Sequence, residues 1–453
     1  MTIFLLSLFF LLAASAAAGS SPPEPPTAQE DAAALDRFKR YLQIPSVHPN
    51  PDYSATTDFL LAIAGELGLA SRVLEFVPGK PVLLFTWQGS DPSLPSLLLN
   101  SHVDVVPAEP SKWSSPPFAA AEDSRGNVLA RGSQDMKCVG LQYLEAIRRL
   151  KRAGFKPPRS VHVSFLPDEE IGGNDGAGQF TGSKEFQDLN VGLALDEGLA
   201  SEGDEYRVFY AERSPWWLAV KAMGRPGHGS KLFDNSAMEN LGKSLEIVSK
   251  FRAAQFDLVK AGIAAEGEVV SVNPVFLKAG TPTPTGFVMN LQPSEAEAGF
   301  DVRMPPFADP VAMEKRIAEE WAPASRNMTY EFRLVQFKQK TPVKRRDGSL
   351  NYTPVDDSNP WWSVFKEAIS KSNQRLAKPE IFPASTDARY FRDLGIPAFG
   401  FSPMANTPIL LHDHNEFLSS REYFKGIEVY QILLNSLASF VGSKDDTTSH
   451  SEL

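Results

Sequence analysis

Two side chains that could bind or orient a metal ion, His102 and Asp104, follow an apolar run that begins at Leu97. The run is rich in Leu and Val, which is typical of a buried strand. Because strand side chains alternate between two faces, His102 and Asp104 are predicted to project to the same side. A carboxylate that accepts one imidazole N–H leaves the other ring nitrogen for a cation. A core histidine hydrogen-bonded to a neighbouring Asp is the alternative for this pair.

Acidic side chains follow two further apolar runs, at 160–166 and 191–195. They are Asp168, Glu169 and Glu170 after the first run, and Asp196 and Glu197 after the second. The runs alternate with helical patterns, so the sequence predicts an α/β fold with a mostly parallel sheet and crossover helices. Ligand sites of such sheets form at the carboxyl ends of the strands. The polar side chains are therefore expected to converge, although an acidic triplet can also be a solvated turn.

The candidate ligands together indicate a metal centre. They are His102, Asp135, Glu170, Glu197 (or Asp196) and His412. Imidazole and carboxylate without thiolate suit zinc, or a related ion such as cobalt or manganese. With one bridging carboxylate, five ligands supply three contacts to each of two ions about 3.5–4 Å apart. Glu169 points in a different direction from its neighbour and is predicted to be the general base that moves a proton from water to a leaving amine.

The elements that would position these residues divide the chain into a catalytic domain and an insertion. A chain of 453 residues exceeds one ordinary core, so two or more domains are expected. After residue 212 the pattern becomes helix–strand–strand–helix–strand with antiparallel pairing, which predicts a small α+β domain. The predicted boundaries are 19–29 for a flexible lead, 30–212 and 327–441 for the catalytic domain, 213–326 for the inserted domain, and 442–453 for a flexible tail.

Composition narrows the function classes. Hydrophobic residues make up 42% and charged residues 22%, as in a soluble globular protein. The formal net charge of -10 argues against nucleic acid and anionic membrane surfaces as partners. The single cysteine, Cys138, excludes an intrachain disulfide and is predicted to be a small buried residue.

The termini predict the secretory pathway, with the protein in the ER lumen or secreted. The apolar run 3–12, followed by small residues at 16–18, is typical of a signal peptide over residues 1–18. No Lys or Arg precedes the run, so an uncleaved anchor is the alternative. Sequons begin at Asn327 and Asn351. The last four residues, 450–453, differ at one position from the ER retrieval tetrapeptide His-Asp-Glu-Leu. No membrane association is expected after signal cleavage.

Six segments resemble the aminoacylase family of zinc amidohydrolases, whose relatives include acetylornithine deacetylase and bacterial carboxypeptidase G. The segments are 100–107, 131–137, 166–173, 210–217, 224–228 and 410–414. The resemblance extends from about residue 30 to residue 440, with the motifs in the family's order. It implies two zinc ions per subunit, one held by His102, Asp135 and Glu197 and the other by Asp135, Glu170 and His412, with Asp135 as the bridge.

The resemblance also implies roles for residues outside the metal centre. Asp104 would orient His102, and Glu169 would be the general base. Because the inserted domain dimerises in this family, His228 would reach the active site of the partner subunit in a homodimer and stabilise the oxyanion. Asn290 and Arg389 would hold the substrate, with the guanidinium on its free carboxylate.

Two pairs of residues compete for ligand positions: Asp196 with Glu197, and His414 with His412. We choose Glu197 and His412. The resemblance implies hydrolysis of an N-acyl-L-amino acid to a carboxylate and a free amino acid. A dipeptidase or carboxypeptidase of the same fold is the nearest alternative, and a catalytically silent ER binding protein is the alternative from another class.

Overall fold

The computed structural model describes residues 25–333 and 341–441, so the predicted signal peptide and tail lie outside the described residues and stay predictions. The strands of the described part are β1 (Ala70–Val77), β2 (Lys80–Trp87), β3 (Ser96–His102), β4 (Ala121–Glu122), β5 (Asn127–Leu129), β6 (Val161–Leu166), β7 (Val191–Asp196), β8 (Glu205–Tyr206), β9 (Phe209–Glu212), β10 (Ser214–Met223), β11 (Gly227–His228), β12 (Ser271–Ala279), β13 (Pro282–Thr283), β14 (Gly286–Phe287), β15 (Leu291–Gln292), β16 (Glu295–Met304), β17 (Met328–Phe332), β18 (Arg375–Leu376), β19 (Glu380–Phe382), β20 (Ala398–Gly400) and β21 (Phe417–Ser419). The α-helices are α1 (Ala28–Leu42), α2 (Ser54–Glu66), α3 (Lys137–Arg152), α4 (Gln179–Thr181), α5 (Lys184–Gln187), α6 (Ala237–Lys260), α7 (Pro310–Arg316), α8 (Pro360–Lys371), α9 (Ala388–Asp393) and α10 (Ser420–Ser439).

Eight strands form the central sheet, in the order β1-β2-β6-β3-β7-β20-β9-β19. Strands β6, β3, β7 and β20 are parallel neighbours, and antiparallel pairs flank them on both sides. The predicted mostly parallel sheet is therefore confirmed. All seven residues of β3 are buried. The sequence around Leu97 is continuously apolar because both faces of this central strand are covered.

Helices cover the two faces of the sheet. Leu97 and Leu99 join the core formed with α1, α2, α3, α8 and α10, whereas Leu98 joins the core formed with α4, α5 and α9. Helix α1 begins at Ala28, inside the predicted flexible lead. It begins there because the Thr27 hydroxyl accepts the Glu30 N–H while the Glu30 carboxylate accepts the Thr27 N–H.

A second sheet, in the order β12-β16-β10-β17, forms the inserted domain together with α6 and α7 around its own core. The predicted boundary at residue 326 is wrong. Strand β17 follows that boundary, yet it pairs antiparallel with β10, for example Tyr330 with Val220. The inserted domain therefore extends at least to Phe332. The pairing joins strands that are distant in sequence, so no local pattern marks it.

The one cysteine of the sequence, Cys138, is fully buried on α3. This confirms the prediction of a small buried residue, and burial raises the pKa of its thiol well above the usual range. Among the helices of the described residues, none combines the length and apolar character needed to cross a membrane.

Candidate metal centre and active site

The carboxyl ends of three adjacent parallel strands meet at one edge of the central sheet. Strand β3 ends at His102, β6 leads into a single 3₁₀ turn at Glu169–Ile171, and β7 ends one residue before Glu197. Because β3 lies between β6 and β7, the side chains that follow these strands come together. The convergence expected from the sequence is present in the structure.

Loops supply the two remaining side chains of the cluster. Asp135 lies just before α3, and His412 lies in the loop that precedes β21. Glu416 fixes the first of these loops, because its buried carboxylate accepts the Gln134 N–H at 2.7 Å and pairs with Arg131 at 2.8 Å. Burial raises the pKa of Glu416 to about 7, although Arg131 acts in the opposite direction.

Asp135 lies between two imidazoles. His102 Nε2 is 2.9 Å from its Oδ1, and His412 Nε2 is 3.2 Å from its Oδ2. Each imidazole also faces a glutamate: His102 Nε2 is 3.7 Å from Glu197 Oε2, and His412 Nε2 is 3.0 Å from Glu170 Oε2. One carboxylate thus faces two separate histidine–glutamate pairs, an arrangement suited to a carboxylate that bridges two cations.

A main-chain carbonyl, rather than the predicted carboxylate, is the nearest acceptor for the His102 ring. Nδ1 lies 3.0 Å from the Asp104 carbonyl oxygen and 3.5 Å from Asp104 Oδ1. The prediction assumed strand alternation, but β3 ends at His102. The Asp104 carboxylate accepts the main-chain N–H groups of Glu169 and Glu170. It also lies 2.8 Å from His48 Nε2. With Nδ1–H donated, His102 Nε2 keeps its lone pair for a cation.

The structure distinguishes the competing ligands. Glu197 faces the cluster, whereas Asp196 accepts a hydrogen bond from Asn100 Nδ2 at 3.0 Å. His412 reaches the cluster, whereas the His414 ring lies near an exposed glutamate of another loop. In both pairs, the residue chosen from the sequence is the one whose side chain joins the others.

The cluster attracts positive charge. Burial, followed by the charge of Glu197, raises the pKa of Glu169 well above the usual range. Burial also acts to raise the pKa of Asp135, but hydrogen bonds with His102 and His412 hold it well below the usual range. Burial acts to lower the pKa of His412, yet its two carboxylate partners raise it to about 11. The carboxylates of the cluster therefore favour a cation among them.

The donor set fits a divalent metal ion. Ligand atoms within 4.8 Å of one another come from two groups: His102 with Asp135 and Glu170, and His102 with Glu169 and Glu197. Glu170 Oε1 is buried without a hydrogen-bond partner in the described part of the chain, so a cation would satisfy an acceptor that the protein leaves open. Imidazole and carboxylate donors are those of zinc sites. Glu169 is close enough to act as a ligand or as a base.

A cavity of about 620 Å³ opens onto the cluster. Glu169 lines it together with residues of both domains, such as Trp217 on β10 and Arg389 on α9. The Arg389 guanidinium donates to the Gly172 carbonyl and to the Tyr390 hydroxyl. It forms no ion pair with a carboxylate of the described residues, so it can receive an anionic group of a ligand.

Two predicted site residues lie outside this cavity. His228 on β11 and Asn290 just before β15 are exposed neighbours on the inserted domain. His228 Nδ1 lies 2.7 Å from Ser230 Oγ, and the Gly229 N–H donates to the Asn290 carbonyl at 2.7 Å. The structure does not bring them to Glu169 of the same chain, and their functional roles stay predictions.

Three residues of the site were not predicted from the sequence. His48 and Glu416 act through contacts with segments distant in sequence, so local spacing carries no signal for either. Asp387 precedes α9, and both of its carboxylate oxygens are buried without a hydrogen-bond partner among the described residues. Burial raises its pKa well above the usual range. Its closeness in sequence to Arg389 is the one feature that could have placed Asp387 near the site.

Comparison with known proteins identifies the family. Residues 98–436 match the model of Peptidase family M20/M25/M40. Aminoacylase-1 of Mus musculus is 46% identical over 403 residues, which cover 89% of this chain and 94% of the mouse protein. Aminoacylase-1 of Dictyostelium discoideum is 42% identical over 407 residues, covering 88% and 96%. The solved structure of the M20 family metallo-carboxypeptidase Sso-CP2 from Sulfolobus solfataricus matches with a TM-score of 0.68 and 18% sequence identity. The match covers 89% of this chain and 99% of Sso-CP2, and it shows the shared fold alone. The chain belongs to peptidase family M20/M25/M40.

Proposed function

We propose that the protein is a zinc-dependent aminoacylase, which hydrolyses N-acyl-L-amino acids to a carboxylate and a free L-amino acid. The observation that carries the proposal is the position of Glu169, which lines the cavity within 4.8 Å of ligand atoms of His102 and Glu197. Sequence similarity supports the same chemistry, because the aminoacylase-1 proteins of mouse and human are 46% and 42% identical to this chain.

The proposed chemistry needs one group that moves a proton. Two zinc ions, held by the five clustered ligands, would polarise the scissile carbonyl and make water more acidic. Glu169 takes one proton from the attacking water and delivers it to the amine nitrogen as the C–N bond breaks. Arg389 binds the free carboxylate of the amino-acid half and so fixes the amide over the cluster.

We further propose a homodimer formed through the inserted domain. Strand β12 is an edge strand whose Val275 and Leu277 side chains are 63% and 64% exposed, and such an edge favours pairing with a second copy. In the dimer, His228 would donate to the oxyanion in the cavity of the partner subunit. Asn290 would accompany it because the two residues are neighbours.

A heterodimer of two inactive variants tests this arrangement. Glu169→Gln and His228→Ala chains carrying different tags are co-expressed, and the mixed dimer is isolated. If His228 acts on the partner subunit, one intact site forms per mixed dimer, and activity is expected to return to about half of the wild-type value. A mixed dimer as inactive as the two parents, or a protein that sediments as a monomer, contradicts the proposal.

Substrate panels test the activity itself. The zinc-loaded, full-length protein is assayed on N-acetyl-L-methionine and on dipeptides. We expect a kcat/KM at least about tenfold higher for the N-acetyl substrate, a difference of about 1.4 kcal/mol in transition-state stabilisation. Faster cleavage of dipeptides would instead support a dipeptidase or carboxypeptidase. Absence of turnover in both panels would support a silent binding protein.

We also propose that the protein enters the secretory pathway. Its support is the apolar N-terminal run, together with a sequon whose Asn327 is exposed. The second sequon is packed: Asn351 lines the cavity, and the buried Thr353 hydroxyl bonds to the main chain of Ala398. Glycosidase treatment should therefore shift the mass of wild type and of Asn351→Gln but not of Asn327→Gln. Protein without any glycan after expression in animal cells would contradict the proposal.

A further inference from the structure

A turn outside the predicted site lines the cavity with three consecutive cationic residues. They are Lys344, Arg345 and Arg346, which we call the cationic turn. The whole chain carries a formal net charge of -10, so this local concentration of positive charge does not reflect its overall composition. A cavity wall of one sign concentrates ligands of the opposite charge.

Acidic partners neutralise only part of this charge. Arg346 pairs with Asp393 at 2.6 Å. The Lys344 side chain forms no hydrogen bond or ion pair with any residue that the structure describes. Arg345 Nη2 donates to the Tyr352 carbonyl at 2.6 Å, but its Nε is buried and has no hydrogen-bond partner among the described residues. Two cations of the turn thus lack a carboxylate.

The turn is held in place on both sides. Lys344 bridges to Leu350 across a tight turn, in which the Arg345 N–H donates to the Ser349 carbonyl at 3.0 Å. On the other side, Arg346 anchors the turn to α9, the helix that carries Arg389. A buried guanidinium N–H without an acceptor is costly, so its retention in a fixed geometry indicates an acceptor that arrives with a ligand.

We infer that the cationic turn binds a second carboxylate of the substrate, so that the preferred substrates are N-acyl amino acids with two carboxylates. The inference rests on the proposed aminoacylase activity, in which Arg389 receives the carboxylate of the amino-acid backbone. The second carboxylate belongs to the amino-acid side chain or to a dicarboxylic acyl group. The ion pair of Arg346 with Asp393 holds the cationic turn against α9, the helix that carries Arg389. Because Arg389 would bind the amino-acid half on this side of the cavity, the second carboxylate is expected on the amino-acid side chain.

Nearly isosteric substrate pairs test this inference on the zinc-loaded, full-length protein. We expect kcat/KM for N-acetyl-L-glutamate to exceed that for N-acetyl-L-glutamine by at least about tenfold, mainly through KM. Arg345→Gln and Lys344→Gln should each lower this ratio towards one. Lys184→Gln is the matched control, because Lys184 is an exposed lysine that pairs with Asp188 and does not line the cavity. Its ratio should equal that of wild type.

A second substrate pair separates the two sources of the carboxylate. A preference for N-succinyl-L-methionine over N-succinamoyl-L-methionine that Arg345→Gln abolishes would support binding of the acyl carboxylate. Equal kcat/KM values within both substrate pairs would overturn the inference, and so would a preference that Arg345→Gln and Lys344→Gln leave unchanged. In either case, turnover of N-acetyl-L-methionine would leave the proposed function intact. No turnover of any N-acyl amino acid would overturn both.

Discussion

Asp104→Asn perturbs the site without removing a candidate ligand. Asp104 Oδ1 accepts the Glu169 N–H at 3.1 Å, and Oδ2 accepts the Glu170 N–H at 3.0 Å. Burial acts to raise the pKa of Asp104, but the neighbouring His102 and His48 imidazoles hold it well below the usual range. The residue is therefore an anion at neutral pH, and it anchors the turn that carries the proposed base.

The expected cost follows from the donors that Asp104 satisfies. An amide offers one acceptor oxygen, so its NH₂ group would face a buried main-chain N–H at one of the two positions. Losing one charge-assisted hydrogen bond costs about 1.5–3 kcal/mol, and an unsatisfied buried N–H costs about 1–3 kcal/mol. Because these terms overlap, we expect the free energy of unfolding to fall by about 3 kcal/mol. Metal affinity should fall about 10- to 100-fold, since the orienting partners of two cluster residues are disturbed.

Urea unfolding and chelator competition for zinc measure both quantities. Asp188→Asn is the matched control, because this exposed carboxylate pairs with Lys184 and should contribute less than about 1 kcal/mol. Asp104 does not anchor the turn if Asp104→Asn binds zinc with an affinity within about twofold of wild type and unfolds with the free energy of the control.

Two further changes have defined outcomes. Gly173→Ala should destabilise the protein by more than about 1 kcal/mol and reduce kcat, since φ is +63° and the new Cβ would lie 2.3 Å from Asp387 Oδ1. Gly154→Ala is the control for backbone strain alone, because φ is +73° there and the new Cβ would meet open space. Equal melting temperatures of the two variants would contradict this prediction. Burial lowers the pKa of His162 from 6.5 to about 4. Below pH 6.5 the unfolded chain gains a proton on this imidazole that the folded protein does not, so the free energy of unfolding should fall by roughly 3 kcal/mol between pH 6.5 and pH 4. His162→Gln should flatten urea-derived stability over that range, and an unchanged slope would disprove the assignment.

The central strands and their polar ends could be predicted because their physics is local. A strand covered on both faces must be apolar throughout, as around Leu97, and parallel neighbours bring their carboxyl ends to one edge. These two rules place His102, Glu170 and Glu197 together without knowledge of long-range contacts. The choice of Glu197 over Asp196 needed the resemblance, because both residues lie at the end of the same strand.

The features that escaped prediction depend on partners distant in sequence. Strand β17 belongs to the inserted domain only through its pairing with β10. His48 and Glu416 reach the site from segments far from the residues they hold, and neither stands in a recognisable pattern. The orientation of His102 by a carbonyl depends on where β3 ends, which periodicity gives only to within a few residues.

Replacement of Glu169 by Gln in the zinc-loaded, full-length protein separates a general base from a metal ligand. Metal content and kcat for N-acetyl-L-methionine are measured on the same preparation. Because the amide keeps the shape but cannot accept the proton, we expect unchanged metal content and a kcat reduced by at least about 100-fold. A kcat near the wild-type value would exclude Glu169 as the base. Loss of the metal together with the activity would make Glu169 a ligand instead of the base.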